Sequence, residues 1–466
     1  MNIILIISDT FRYDNLTHAG PMPVRTPCLD AFARRAVTCS NAITGSFPTI
    51  PHRTDVTSGR FGWPWHPWQS RELSTRNHLP QILAQAGYVS QLICDCPHLF
   101  PARFDRGFSA AVALRGQEGD LSLLRMNHPI QHVMPPEKTR MDRHFQQRNL
   151  PDLSAWHNRD WQGEEDRFPP RTAATAVRFL EENYKHHPFF LWVDFFDPHE
   201  PWDAPDYLVR RYDAEYRGTA MVHPNYGKAS DLAPEELRNL RAHYCAEAEL
   251  VDRWVGRVLQ KIEDLDLFEN SVVVFTSDHG MSLGEHNRTG KSNINDGDDR
   301  YWPIYPEVAH VPLLVAAPGL AGGRTVDALV QPPDILPTAL ELAGVSARPP
   351  QPFHGRSMAG VLRGEAGARG RDVAVAAPYA RATGGKPGAE QCTLVVYTAD
   401  WAYAPVGAAG RPELYDRRKD PLAERDVAAQ WPDVCRQLHA HLLRWLADHD
   451  APAEASAPYG GGGGGG

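Results

Sequence analysis

Three short apolar runs in this chain break off at carboxylate-bearing turns, and this feature narrows the possible folds furthest. Residues 3–7 read Ile-Ile-Leu-Ile-Ile and end at Ser8-Asp9-Thr10. Residues 188–196 run from Pro188 through Phe, Leu, Trp and Val to Asp197-Pro198-His199-Glu200-Pro201. Residues 271–276 carry three valines and a phenylalanine up to Ser277-Asp278-His279-Gly280. Runs this short and this apolar read as strands buried on both faces, as in parallel sheets covered by helices. In such sheets ligands bind beyond the carboxyl ends of the strands. Asp9, Asp278 and His279 stand there, and so does His199, held between Pro198 and Pro201.

The stretches between these runs supply the covering helices. Residues 78–87 read as a helix closed by Gly87, followed by a strand over 88–94. Residues 173–184 are helical in pattern. The clearest helix spans 235–262, where Leu250, Val251, Trp254, Val255, Val258, Leu259 and Ile262 repeat at helical spacing. The expected fold class is α/β, with a large, mixed, mostly parallel central sheet sandwiched by helices. From about residue 371 the runs become shorter. Strands are expected over 393–397 and 400–405, with an amphipathic helix over 432–449. The expected organisation is therefore a catalytic domain over 1–370, a C-terminal antiparallel-sheet-plus-helix subdomain over 371–452 and a flexible tail over 453–466. Residues 110–170 are polar and rich in His, Arg, Trp and Pro. They read as a variable insertion over the site, where substrate selection usually resides.

The composition excludes several function classes. The formal net charge is −9 with both signs interspersed, which leaves no nucleic-acid footprint. No apolar stretch approaches bilayer-spanning length, and residues 3–7 are too short for a signal peptide. No membrane partner is expected, and the cytoplasm is the default location. The cysteine count is seven, with only Cys94 and Cys96 close together and no CxxC pair. Reduced thiols are expected rather than a cysteine zinc site. A homo-oligomer is compatible with the sequence.

One further stretch bears chemistry. In Thr49-Ile-Pro-His-Arg53, Pro51 fixes its own φ and pushes Ile50 out of the α region. A helix is therefore expected to start at about Pro51, with Thr49 just before it, among free backbone N–H groups that favour negative charge. A hydroxyl held there, near Arg53, suits attack on an anionic phosphorus or sulfur ester.

With Ser58-Gly59-Arg60 behind it, this stretch resembles the signature of the sulfatase family, within the alkaline phosphatase superfamily. The resemblance extends to Asp9, to a Pro-His-x-Pro element at His199, to Ser277-Asp278-His279-Gly280, and to the loop carrying His286 and Lys291. It runs from residue 2 to about 450 and is weakest over 110–170. It implies a sulfatase-like fold and an ester hydrolase acting on a small anionic ester. One divalent metal ion is implied at Asp9, Thr49, Asp278 and His279. The mixed oxygen and imidazole donors favour Mn²⁺ or Zn²⁺, with Mg²⁺ also suited and Ca²⁺ less so. Arg53 and Lys291 are expected to hold the ester oxygens. His199, with His98 or His286, is expected to protonate the leaving oxygen, and His310 to approach the site. Asp334 is expected to brace the core.

Three departures from the family pattern matter. Thr49 stands where the family has a Cys or Ser that becomes formylglycine. Thr10 replaces a second Asp, and Asp95 replaces a Lys. A threonine ester must be opened by water at the central atom, which argues for a phosphate or phosphonate ester, diesters included. The alternatives are a true sulfuric ester hydrolase without formylglycine, a phosphoglycol transferase and a non-catalytic binding protein.

Overall fold

The computed structural model describes residues 1–16, 24–68, 77–139, 148–292, 298–346, 348–379 and 392–459. Thirteen strands position the site: β1 (Asn2–Ser8), β2 (Val37–Cys39), β3 (Ser46–Phe47), β4 (Val89–Cys94), β5 (Ala110–Ala113), β6 (Phe189–Phe195), β7 (Ser271–Ser277), β8 (Leu313–Ala316), β9 (Arg324–Val326), β10 (Ala374–Pro378), β11 (Val395–Tyr397), β12 (Trp401–Ala404) and β13 (Glu413–Asp416). The main sheet has the order β9-β2-β8-β7-β1-β6-β4-β5. β8 runs antiparallel to both neighbours, and the other pairings are parallel. The three apolar runs are thus the adjacent central strands β6, β1 and β7. Ile7 lies opposite Asp194 on one side and Thr276 on the other. This register brings the loops at Asp9, Asp197 and Asp278 to one edge of the sheet.

Alternation along these strands builds two cores. Ile3, Leu5, Ile7, Phe190, Trp192, Val272 and Val274 pack on one face, against α2 (Thr49–Ser58), α3 (Leu79–Gln85) and α7 (Ile335–Leu342). Ile4, Ile6, Leu191, Val193, Phe195, Val273 and Phe275 pack on the other. They meet α1 (Pro27–Ala33), α5 (Phe168–Asn183) and α6 (Pro234–Asp264). Each fully buried side chain of this size contributes about 1.5–3 kcal/mol, so the sheet is a rigid base for its loops. Asp334 braces this base as expected. It accepts hydrogen bonds from the Gln331 and Arg356 amides and pairs with Arg371.

The second sheet has the order β13-β12-β11-β10-β3. β10 to β13 pair antiparallel, and α8 (Pro432–Asp448) packs on them through Leu438, Leu442, Trp445 and Leu446. Its fifth strand was not legible in the sequence. β3 comes from the N-terminal part and pairs parallel with β10, Ser46 with Ala377 and Phe47 with Pro378. The C-terminal sheet therefore grips the segment that leads into Thr49.

Three sequence boundaries shift. β5 is the edge strand of the main sheet and α5 begins at Phe168, so the excursion over the site spans 114–167. It contains α4 (Leu150–His157). Helical turns continue from Ala453 to Tyr459, whose carbonyl accepts from His439 Nε2 at 2.7 Å. The glycine run 460–466 lies outside the described residues. Among the described residues no helix is long and apolar enough to cross a membrane, and none of the seven cysteines forms a disulfide.

Candidate active site

Thr49 is the first residue of α2, with Pro48 before it, rather than a residue outside the helix. Pro51 falls in the first turn, where a proline costs no hydrogen bond. Asp55, two residues after Arg53, accepts from the Ser46 and Gly62 amides at 2.7 and 2.6 Å. This buried carboxylate ties together both ends of the segment that presents Thr49.

Behind Thr49 lies a group of three fully buried carboxylates. Arg53 donates to Asp194 Oδ1 and Oδ2 at 2.9 and 3.2 Å and makes a short contact with Asp278 Oδ2. Its Nη1 also lies 3.0 Å from Asp9 Oδ2 and 3.4 Å from the Thr49 carbonyl. This corrects the expected role of Arg53. Its guanidinium is completely buried and its donors serve these acids, so it holds the acid group to the Thr49 helix and does not line the cleft.

Thr10 sets the orientation of two of these acids. Its amide donates to Asp278 Oδ1 at 2.9 Å and its hydroxyl to Asp9 Oδ1 at 2.8 Å. It does so from the left-handed region, at φ +59°, a strained conformation that clusters at functional sites. Hydroxyl for carboxylate at this position removes a negative charge and adds a donor.

A metal ion fits the remaining atoms. Ligand atoms of Asp9, Asp278 and His279 lie within 4.8 Å of one another, all buried. The His279 ring uses Nδ1 to donate to the Gly280 carbonyl at 2.9 Å. Its Nε2 is thereby unprotonated, 3.4 Å from Asp278 and 3.8 Å from Asp9. Nε2 is buried without a hydrogen-bond partner, a costly state without a ligand, and buried Asp9 Oδ2 has no hydrogen bond beside its ion contact with Arg53. With all three ionised, Asp9, Asp194 and Asp278 would set three negative charges against one on Arg53, a difference that one divalent cation would balance. Burial and the neighbouring Asp278 push the Asp9 carboxyl well above the usual carboxylate range.

In front of Thr49 is a cleft of about 470 Å³, lined also by Trp68, His98, Glu118, Asp120, Leu150, His199, Tyr226, Lys291 and Tyr379. Lys291 lines the cleft. Its Nζ lies 3.5 Å from Thr10 Oγ1 and 3.7 Å from Glu200 Oε2. His199 stacks on Phe196 at 4.0 Å and donates from Nδ1 to the Glu200 carbonyl at 2.7 Å. Burial, with Lys291 nearby, holds its imidazole well below the usual range. His199 is therefore neutral with its proton on Nδ1, and Nε2 is an acceptor rather than a proton donor. His98 stands opposite, half-exposed, against Trp68 and Phe196.

Two histidines expected at the site lie elsewhere. The ring nitrogens of His286 bond Glu307 Oε1 at 2.9 Å and the Ala423 carbonyl at 2.8 Å, and the ring stacks on Tyr305. His286 links the C-terminal subdomain to the core and does not reach the cleft. His310 stacks on Tyr13 and bonds the Ser40 carbonyl at 2.9 Å. Asp95 is a buried brace, accepting from Thr172 Oγ1 at 2.6 Å and the Phe196 amide.

The His286 pair has a consequence for stability. Although burial opposes it, Glu307 pushes the His286 imidazole up to about 9, against about 6.5 when unfolded. A raised folded value means that this stabilisation is complete below about pH 6.5 and is lost as pH rises through about 9. The Tm of the protein is expected to fall across that window, and His286→Gln to flatten the fall in a calorimetric pH series.

Sequence reading missed His52, Glu118 and Glu200. His52 is buried beside Arg53 with both ring nitrogens unpartnered, and burial pushes it down to about 3. Glu200 accepts from Tyr226 and approaches Lys291. The one sequence signal available was Gly116-Gln-Glu-Gly119, an acid set between glycines.

Comparison with known proteins now bears on this geometry. The family model described as Sulfatase matches residues 1–345. The chain belongs to the sulfatase family. It is an ester hydrolase of the sulfatase type. Arylsulfatase K of Mus musculus is 24% identical over 95% of this chain and 78% of its own length. An arylsulfatase of Clostridium perfringens is 26% identical over 74% of this chain and 75% of its own. The solved phosphonate monoester hydrolase of Agrobacterium radiobacter shares the fold, with a TM-score of 0.73, 24% identity and 96% of both chains covered.

Proposed function

We propose that this sulfatase-family hydrolase cleaves phosphate or phosphonate esters, diesters included, through in-line attack by Thr49 Oγ. The observation that carries this reading is a threonine at the head of α2 that lines the cleft, with its carbonyl held by Arg53, the guanidinium that gathers the buried acid group. Asp9, Asp278 and His279 would hold one divalent metal ion, Mn²⁺ or Zn²⁺ before Mg²⁺ or Ca²⁺, given the imidazole donor. When bound, the ion supplies positive charge that acidifies a nearby hydroxyl and screens an anionic ester.

The other roles belong to the chain itself. The free N–H groups at the start of α2 favour the anionic ester. Lys291 neutralises a non-bridging oxygen. Thr49 displaces the leaving oxygen and becomes esterified. His199 Nε2, unprotonated, is suited to take a proton from the water that opens the threonine ester. That last step favours phosphorus, because a threonine ester lacks the second hydroxyl through which a formylglycine hydrate expels sulfate.

A sulfate ester is the second reading, favoured by relatives named arylsulfatase. Three aryl esters decide between them when offered to protein loaded with Mn²⁺ or Zn²⁺: a sulfate, a phosphate monoester and a phosphonate or phosphate diester. The diester or phosphonate is expected to show a kcat/KM at least about tenfold above the sulfate, a difference of about 1.4 kcal/mol in transition-state binding. Dominant sulfate turnover overturns the phosphorus reading.

A further inference from the structure

The excursion over the cleft is fastened on both sides of one residue, Glu118. Gly116 has φ +128°, and a Cβ there would meet His157 and Phe168 at 3.0 Å. Gln117 is buried and donates to Asp197 Oδ1 at 3.1 Å. Asp120 is gripped by Arg115, whose Nε lies 3.1 and 3.0 Å from its two oxygens. Glu118 itself sits at φ +49°, a left-handed conformation costly for a residue with a side chain. These contacts hold a largely buried carboxylate between two histidines. Oε2 lies 3.3 Å from His98 Nε2 and Oε1 lies 3.8 Å from His199 Nδ1. The Nδ1 proton of His199 already goes to the Glu200 carbonyl, so Glu118 takes its hydrogen bond from His98.

We propose that Glu118 is a positioning residue for leaving-group departure: it aims the His98 imidazole that protonates the departing oxygen. The inference rests on the ester-hydrolase reading above. Nε2–H of His98 serves Glu118, and Nδ1–H is left for the substrate. As the bond from the central atom to the leaving oxygen breaks, that oxygen keeps the electron pair and takes the His98 proton. The water that opens the Thr49 ester passes its proton to His199 Nε2, which releases it to solvent, and His98 is reprotonated from solvent. The charged groups about His98 are Glu118, the neutral His199, Lys291 across the cleft, and Asp120, itself neutralised by Arg115. Glu118 is held at about 2: burial would raise it, but the hydrogen bond from His98 lowers it further.

The test uses two esters of the same acid, one with a nitrophenol leaving group and one with a simple alcohol. A nitrophenolate departs unaided, whereas an alkoxide needs the proton, and general acid catalysis contributes roughly 10²–10⁴-fold. Glu118→Gln is expected to lower kcat for the alkyl ester at least about thirtyfold more than for the nitrophenyl ester. Glu118→Asp should recover part of the loss, and His98→Gln should show the same leaving-group dependence. Equal losses on both esters, or no loss, overturn the inference while leaving the hydrolase reading intact. Wild-type turnover of neither ester removes that reading and this inference with it.

Discussion

Thr49→Ala is expected to cut ester turnover on the order of 10⁴-fold or more, the scale seen when a covalent nucleophile is removed. The cause is local. Thr49 heads a helix anchored by Asp55 and by the pairing of β3 with β10, so the backbone stays in place when its hydroxyl goes. Alanine is also the better helix former, and the fold should survive with Tm nearly unchanged. Thr49→Ser keeps a hydroxyl at the same atom and is expected to retain turnover within about a hundredfold of wild type. Steady-state kinetics on the best ester of the panel, with a melting curve for each variant, separates loss of chemistry from loss of fold.

Asp278→Asn is expected to be nearly as damaging, by another route. Asp278 shares ligand-atom space with Asp9 and His279, contacts Arg53, and accepts from the Thr10 amide. The amide removes one of the two carboxylates of the donor set and keeps the shape. Metal analysis of purified wild-type protein is expected to give one ion per chain, and of the variant well under half. Turnover should fall by about 10³-fold or more, as should that of wild type after chelation, with recovery only in wild type when Mn²⁺ or Zn²⁺ is returned. Metal at about 100 times its Kd stabilises the wild-type fold by about 2.7 kcal/mol, and this rise in Tm should vanish in Asp278→Asn. A variant that binds metal and turns over ester like wild type contradicts the assignment of Asp278.

What the sequence made legible follows from how each residue is placed. Asp9, Asp278 and His279 end apolar runs, and a parallel sheet brings such ends together whatever the loops do. His199 follows the end of β6 and was found for the same reason, whereas Lys291 follows a short strand, Arg288–Gly290, and was found through its match to the family's loop. Arg53 was read by charge alone, and three carboxylates distant in sequence turned it inward. His286 was read from its match, with Lys291, to the family's loop, but a partner more than twenty residues further on, Glu307, fixes its ring elsewhere. β3 is two residues long and its partner lies more than 300 residues away, so no local periodicity announces it. Glu118 belongs to a strained turn whose orientation depends on Asp197 and Arg115, contacts that exist only once the chain is folded.

The central claim is that Thr49 carries the substrate's phosphorus centre as a covalent ester between leaving-group departure and hydrolysis. Its most direct measurement is peptide mass spectrometry of wild-type protein quenched in acid during steady turnover of the best diester or phosphonate. The account predicts the phosphoryl or phosphonyl group on the hydroxyl of Thr49, within the peptide spanning His52 and Arg53, and its absence in Thr49→Ala. An unmodified Thr49 peptide during turnover, with turnover persisting in Thr49→Ala, would contradict it.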